Sequence, residues 1–359
     1  MPDDDGVSSA LRSVTEWLNN SSCTPPKSGS STTSSRSRSP VKRKADFDIM
    51  YPRIMFNEDK RTFTDDDWEL PDRIRKAAVN IPKEMREDLE RHPVARRNLD
   101  QVTWQEDHRR SLSEIRDFWI KVQSIEEAAT ICSKEGRSED CWSDDVVLEI
   151  IRLALSWSGL RNKVMLANLK SVGVDQPALL PVRNLHRVIS NKIDYGLCLQ
   201  PDAEEEVMIE NVLRNMSDEL PSISQSAVPM LRKRALFCNL EIKKPYGNKD
   251  PVPQLGVWSI AGLTKLSNLV RESHKKIGET VMLEDPEVPV LPSWSVEGHR
   301  WQFYLGRRCS SAETVSCLLD FNPELTLLGH SRTFLELRYQ FCCRHYIYCE
   351  YLVRNPSLG

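Results

Sequence analysis

The stretch Ala235-Leu-Phe-Cys-Asn-Leu-Glu-Ile-Lys243 carries the most structural information in this chain. Its apolar run is followed by Lys244-Pro245-Tyr246-Gly247, so the pattern predicts a buried strand that ends in a turn. Successive side chains of a strand alternate between its two faces, which places Glu241 and Lys243 on the same face. We therefore expect a carboxylate and an ammonium side by side near the end of a buried strand. The same spacing at Glu58-Asp59-Lys60 lies in a polar stretch and predicts no strand.

The overall composition is that of a globular protein. The chain has 359 residues, of which 40% are hydrophobic and 28% charged, so one large domain or two smaller ones can form a sizeable core. A formal net charge of −3 argues against indiscriminate coating of nucleic acid but leaves room for a local basic groove. The ten cysteines show no regular framework and no secretory signal opens the chain, which indicates buried thiols in a reducing compartment. No apolar stretch is long enough to span a bilayer, so no membrane partner is expected.

Residues 1–60 are predicted to form a disordered tail, because Ser, Thr, Pro and charged residues dominate up to about Asp46. Within it, Lys42-Arg43-Lys44 follows Pro40 and is similar to a short basic nuclear-import signal. This patch predicts a nuclear protein with an import receptor as a partner. A solvated basic patch in a tail is the alternative.

Residues 65–135 are predicted to form an N-terminal helical region packed on the core. Its clearest helix is Ser111–Lys134, and Pro82–Arg91 is a weaker one. Residues 136–354 are predicted to form the main domain, with an acidic insertion near residues 202–220. Its further predicted elements are helices at 144–157, 254–273 and 333–353 and strands at 191–199, 235–243, 293–297, 301–305 and 315–321.

Three segments in this domain line up as a candidate metal site. Asp194 lies on the predicted strand before the Glu241 strand, and Gln254 opens the helix that follows it. Carboxylates at the ends of adjacent strands can hold one Mg²⁺ or Mn²⁺, which keeps several waters and leaves room for a phosphate. Lys243 would orient an attacking water or offset developing negative charge. Gln254 would hold a phosphate or a water near free helix amides.

This ordered set resembles the PD-(D/E)XK nuclease superfamily, and in particular its fungal nuclease-like proteins. The resemblance implies an α/β (α+β) fold with a restriction-endonuclease-like core, in which helices flank a mixed central sheet. It also implies a magnesium-dependent hydrolase that cleaves nucleic-acid phosphodiester bonds. It covers about residues 65–350 and rests on Lys192-Ile-Asp194-Tyr, Leu240-Glu-Ile-Lys243-Lys-Pro245, Pro253-Gln-Leu-Gly-Val-Trp258, Leu291-Pro292 followed by Val296-Glu-Gly-His-Arg-Trp301, Leu70-Pro71 and the Trp142 segment.

The resemblance assigns roles to individual residues. Asp194 and Glu241 match the metal-binding positions, with the Ile242 carbonyl as a further ligand, and Lys243 matches the lysine. Gln254 matches the glutamine of the related RecB-like nucleases.

Many of these enzymes also carry an acidic metal ligand on the first core helix. Glu139, just before Trp142, is the first choice for it and Glu149 the second. Two features depart from the family pattern: no proline precedes Asp194, and a long insertion separates Asp194 from Glu241.

Basic residues flank the Glu241 strand and are candidates for binding DNA phosphates. They are Arg232, Lys233 and Arg234 before the strand, and Lys244 and Lys249 after it. A solvated loop is the equally weighted alternative. DNA is the expected nucleic acid, and a homodimer is expected from the working state of many nucleases with this fold.

Two other functions stay open from the sequence. The first is a catalytically inactive scaffold on the same fold, which would recruit DNA or proteins through the tail and the acidic insertion. Burial of the site under the insertion or the N-terminal helices would favour it. The second is a structural zinc site at Cys342, Cys343, His345 and Cys349, whose spacing does not fit the usual paired-ligand pattern.

Overall fold

A seven-stranded mixed sheet lies at the centre of the described part of the chain. The computed structural model describes residues 47, 49–56, 80–93, 95–183, 186–187, 192–215, 222–247, 249–276, 288–308 and 314–321. Its strands are β1 (Arg53–Met55), β2 (Asn80–Pro82), β3 (Thr103–Gln105), β4 (Val164–Asn168), β5 (Val182–Arg183), β6 (His186–Arg187), β7 (Tyr195–Leu199), β8 (Leu236–Lys243), β9 (Leu291–Glu297), β10 (Arg300–Arg308) and β11 (Thr314–Phe321).

Helices cover this sheet. They are α1 (Arg86–Arg91), α2 (Leu112–Lys134), α3 (Glu139–Cys141), α4 (Leu148–Ser158), α5 (Ala203–Asn215) and α6 (Val252–Lys276), with a π-helical segment at Trp142–Val147 and 3₁₀ turns at Lys83–Met85, Ala95–Gln101 and Pro177–Leu179. The mixed sheet flanked by helices confirms the predicted fold class.

The strand order across the sheet is β1-β11-β10-β9-β8-β7-β4. Strand β7 runs antiparallel to both of its neighbours, β4 and β8, whereas β8 and β9 are parallel and are joined through α6. Along the chain, the order of the elements around the site is α4, β4, β7, β8, α6 and β9, with β5 and β6 inserted before β7 and α5 inserted before β8. The arrangement brings the start of β7 next to the end of β8, which is where the candidate site lies.

Helix α2 is stabilised at its start and along one face. Ser111 and Glu114 form a reciprocal capping box, so two amides at the N-terminus have partners. Apolar side chains at helical spacing then form the buried stripe that packs on the core: Ile115, Phe118, Trp119, Val122, Ile125, Ala129 and Cys132.

The segment from α3 through α4 is continuously helical, and its middle is a π-helix. There the backbone hydrogen bonds join residues five apart, as between the Leu148 N–H and the Ser143 carbonyl, and such segments occur frequently at functional sites. Helix α4 ends at Gly159, whose positive φ of 74° gives a left-handed end that glycine adopts without steric cost.

Both faces of the sheet are packed. Leu240 and Ile242 belong to the core cluster that includes α2 and α4. Asn239, on the opposite face of β8, hydrogen-bonds Ser259 of α6 at 3.4 Å. Gly196 on β7 has no room for a side chain, because a Cβ would collide with the side chains of Leu236 and Leu169. This close approach sets how β4, β7 and β8 meet beside the site.

The structure differs from the sequence expectation in three places. Strand β4 was not expected, although it closes one edge of the sheet. Residues 53–55, inside the predicted tail, form β1 and pair with β11, and Phe47 and Ile54 are buried. The predicted N-terminal helical region also contains β2 and β3, which pair with each other. Such pairings join segments far apart in sequence, so local patterns do not reveal them.

Several other predictions lie outside the described residues. These are the basic patch at 42–44, the helix at 333–353 with its four Cys and His residues, and residues 216–220 of the acidic insertion. In the part that is described, no helix combines the length and apolarity required to cross a membrane.

Candidate active site

Asp194 is held at the start of β7 between two neighbouring strands. Its N–H donates to the carbonyl of Leu240 at 3.2 Å, and its carbonyl accepts from the N–H of Leu169 at 2.8 Å. Its half-buried side chain accepts a hydrogen bond from the Ile242 N–H at 2.7 Å. The backbone contacts thus fix this carboxylate at the end of β8.

Glu241 and Lys243 lie on one face of β8, as the alternation of the strand requires. The Lys243 ammonium donates to Glu241 Oε1 and, at 3.1 Å, to the Ile242 carbonyl. Both side chains are buried, with 1% of Glu241 and 7% of Lys243 exposed. The second carboxylate oxygen of Glu241, Oε2, is buried and has no hydrogen-bond partner.

Burial is the main cause of the raised pKa values of the two carboxylates. Burial, together with the nearby charge of Asp194, raises the pKa of Glu241 to about 8, and Lys243 opposes this shift. Burial likewise raises the pKa of Asp194, against the stabilising Ile242 N–H. Burial alone would lower the pKa of Lys243, but the charge and hydrogen bond of Glu241 outweigh it and the net shift is upward. A further positive charge near the carboxylates would therefore be favourable.

The donor set fits a hard divalent cation only in part. Glu241 Oε2 lacks a partner and lies close enough to Asp194 for the two charges to interact. Carboxylate and carbonyl oxygens are the ligands that Mg²⁺ prefers. Among the residues that the structure describes, no group of three or more His, Cys, Asp or Glu side chains could hold a metal ion. The protein would thus supply Asp194, Glu241 and the Ile242 carbonyl, and waters and a substrate phosphate would complete the shell.

Comparison with known proteins now decides the family. A sequence profile of the PD-(D/E)XK nuclease superfamily matches residues 84–340, which is more than half of the chain. The chain belongs to the PD-(D/E)XK nuclease superfamily. Among curated proteins no match is found. The predicted superfamily is confirmed, whereas membership of its fungal nuclease-like group stays a prediction.

The structure separates the two candidates for the first-helix acidic residue of the superfamily. Glu139 opens α3, and its Oε1 lies 3.6 Å from the Lys243 ammonium. Glu149 on α4 instead pairs with Arg152 at 2.7 Å and lines a cleft between α2 and α4. Glu139 is therefore the one that reaches the site, where its contact is with the lysine.

Gln254 lies in the first turn of α6 rather than at its first residue. Its side-chain N–H donates to the Lys192 carbonyl at 2.7 Å, two residues before Asp194. The contact ties the start of α6 to the segment that carries Asp194. In this arrangement, Gln254 helps to hold the segment that carries the Asp194 carboxylate.

The structure divides the five predicted phosphate-binding residues between two ends of the sheet. Lys244 and Lys249 are exposed in the loop after β8, beside the site. Arg232, Lys233 and Arg234 precede β8, so they lie roughly 20 Å from Glu241 along an extended strand. Lys233 pairs with Glu206 at 3.0 Å and with Glu210 on α5. The structure thus does not bring Arg232, Lys233 and Arg234 to the site.

The described part of the acidic insertion also lies at the end of the sheet away from the site. Helix α5 contacts Lys233 at the end of β8 remote from Glu241, so its described part does not cover the site.

One cation beside the site escapes prediction from sequence. Lys170 follows β4, two residues beyond Asn168, which pairs with Tyr195 across the sheet. It could have been found only by interpreting the short apolar run Val164–Ala167 as a strand at the edge of the sheet. Without β4, nothing in the local pattern relates Lys170 to Asp194.

Proposed function

We propose that this protein is a divalent-metal-dependent nuclease that hydrolyses phosphodiester bonds of DNA. The observation that carries the proposal is the convergence of Asp194, Glu241 and Lys243 at one end of β8, with Glu241 Oε2 buried and without a partner. Superfamily membership supports the reaction class.

The residues of the chain have separate roles in this proposal. Asp194 and Glu241, with the Ile242 carbonyl, would hold Mg²⁺ or Mn²⁺, which when bound lowers the pKa of water and stabilises negative charge on the phosphate. Glu139 would hold Lys243 or contribute a further oxygen to the cation. When Glu241 binds the cation, the Lys243 ammonium would be available to orient a water and to offset negative charge that develops on the phosphate.

Metal binding is the first test, because it does not depend on the choice of substrate. We expect Mg²⁺ and Mn²⁺ to bind the wild type in isothermal titration calorimetry at low salt, and the Glu241→Ala variant to lose that binding. Labelled double-stranded DNA, single-stranded DNA and RNA then test cleavage with the same two proteins. Cleavage that survives in both Glu241→Ala and Lys243→Ala would sink the mechanism.

One observation favours a second candidate, an inactive nuclease-like fold that binds DNA or protein as a scaffold. Lys243 already donates to Glu241 Oε1 and to the Ile242 carbonyl, two of the atoms that a cation would use. A scaffold would bind DNA equally well with and without Mg²⁺ and would never cleave it. Nuclear import through Lys42, Arg43 and Lys44 and a homodimer both remain predictions.

A further inference from the structure

Lys170 lies at the same end of the sheet as the candidate site. Strand β4 ends at Asn168, and the N–H of the next residue, Leu169, donates to the Asp194 carbonyl at 2.8 Å. The Lys170 N–H in turn donates to the Asn168 side chain at 3.1 Å, which fixes the turn after the strand. The backbone therefore delivers Lys170 next to Asp194.

Its side chain lies along the segment that leads into the site. The ammonium is 5.5 Å from the centroid of the Tyr195 ring, 3.3 Å from Asp140 Oδ1 and 3.4 Å from Asp144 Oδ1. The Tyr195 hydroxyl donates to the same Asp144 oxygen at 3.1 Å and contacts the Ser143 hydroxyl at 3.0 Å. Lys170 is thus held over a ring whose own position is fixed by the π-helical segment.

Lys243 and Lys170 lie at the same end of the sheet but differ in how accessible their ammonium groups are to a ligand. Glu139 contacts buried Lys243, and the next residue, Asp140, contacts Lys170, whose side chain is 28% exposed. Asp140 and Asp144 are 84% and 60% exposed, and ion pairs with such exposed partners contribute about 0–1 kcal/mol. A stronger anion can therefore displace them. The positive charge of Lys170 is also near enough to stabilise ionised Asp194.

We propose that Lys170 binds a nucleic-acid backbone phosphate adjacent to the one being cleaved and so sets the register of the strand over Asp194 and Glu241. The inference rests on the proposed nuclease function. Bound phosphate takes the place of the Asp140 and Asp144 carboxylates on the ammonium. Lys170 then positions the substrate, whereas Lys243 remains at the reacting phosphate.

Lys163 provides a matched control, because it precedes the same strand at its opposite end. Its ammonium lies 3.7 Å from Asp202 Oδ2, and its side chain is 43% exposed. The two substitutions Lys170→Met and Lys163→Met therefore remove the same charge from the two ends of β4. Fluorescence anisotropy with labelled DNA, without divalent cations to prevent cleavage, measures binding over a range of salt concentrations.

We expect Lys170→Met to weaken binding roughly 3- to 10-fold and to reduce the slope of log K against log salt by about 0.9 for duplex DNA, the value for one lost phosphate contact. Lys163→Met should leave both unchanged, and Lys170→Arg should keep the wild-type slope. A general loss of folding in Lys170→Met would not explain a reduced salt slope that returns to the wild-type value in Lys170→Arg.

Removal of the competing carboxylate gives a test of opposite sign. Asp140→Asn should tighten DNA binding, because Lys170 loses a competitor, whereas Asp202→Asn beside Lys163 should not. Asp140→Asn also tests the proposal if a circular dichroism melt shows that Lys170→Met does not fold.

The outcomes separate the two proposals. A wild type that binds no nucleic acid in this assay and cleaves none in Mg²⁺ or Mn²⁺ overturns both of them. A wild type that binds DNA, with Lys170→Met identical to it in affinity and salt slope, overturns the role of Lys170 alone. Equal effects of Lys170→Met and Lys163→Met also overturn that role, since they indicate general electrostatic attraction.

Discussion

Two buried lysines of the described chain, Lys243 on β8 and Lys265 on α6, are in opposite electrostatic situations. Lys243 is 7% exposed and lies among Glu241, Glu139 and the Ile242 carbonyl. Lys265 is 1% exposed and donates to the side-chain oxygen of Gln176 at 3.1 Å, a neutral partner.

The difference appears in their pKa values. The Glu241 carboxylate raises the pKa of Lys243 in spite of burial. Burial lowers the pKa of Lys265 from 10.5 to about 8, with Asp175 opposing the shift. A buried ammonium therefore keeps its proton firmly only where a carboxylate is buried with it. At the candidate site, Glu241 and Lys243 are buried together and carry opposite charges.

The largest expected effect comes from the same substitution at the two lysines. Lys243→Met should reduce cleavage at least about 100-fold, because it removes a charge directed at the reacting phosphate. Lys265→Met should leave cleavage within about 3-fold, since α6 carries it away from Asp194 and Glu241. Rates of DNA cleavage in Mg²⁺ measure both. Equal losses would contradict the separation between a functional lysine and a merely buried one.

The next largest effect is expected from Lys265→Met on the free energy of unfolding. An ammonium with a pKa of about 8 when folded and 10.5 when unfolded disfavours the folded state below pH 10.5, and the cost is fully present below pH 8. The cost is at most about 3 kcal/mol, so Lys265→Met should raise the free energy of unfolding at pH 7 by up to that amount.

The sign of the pH dependence follows from the same shift. Between pH 8 and 10.5 the unfolded chain binds more protons, so the wild type gains stability as pH rises. The advantage of Lys265→Met should therefore shrink from pH 7 to pH 10 in urea unfolding. A constant difference would show that Lys265 titrates normally.

Gln176 offers a smaller and sharper test of the Lys265 environment. Its side chain accepts from Lys265 and donates to the Ser224 carbonyl at 2.9 Å. Gln176→Met should lower the free energy of unfolding by about 1–3 kcal/mol, because the buried Lys265 ammonium and the Ser224 carbonyl each lose a hydrogen-bond partner. In the double variant Gln176→Met/Lys265→Met, the decrease in the free energy of unfolding should be smaller than the sum of the changes in the two single variants. Strict additivity in the double-mutant cycle would mean that the two side chains do not interact.

The smallest effect on stability is expected at Glu139. It is 38% exposed, so Glu139→Gln should lower the free energy of unfolding by less than about 1 kcal/mol. Its effect on Mg²⁺ affinity should be larger, about tenfold, because it contacts Lys243 beside the candidate ligands. Glu149→Gln is the matched control, since Glu149 pairs with Arg152 away from the site. Similar Mg²⁺ affinities for the two variants in calorimetry would remove Glu139 from the site.

Much of the fold and part of the site could be predicted because they depend on local periodicity. The apolar stripe of α2 and the alternation of β8 are set by the 3.6- and two-residue repeats of the backbone. The edge strands β1 and β4 could not be predicted, since short strands owe their stability to the neighbours that they pair with.

The sequence by itself determined that Glu241 and Lys243 share a face, because alternate residues of a strand lie on the same face. Only the tertiary structure decided that Lys170 joins them and that Arg232, Lys233 and Arg234 do not. The antiparallel register of β4, β7 and β8 brings Asp194 and Lys170 to the end of β8, and it leaves Arg232, Lys233 and Arg234 at the other end. Contacts between residues far apart in sequence depend on strand order and register, which are properties of the packed sheet as a whole.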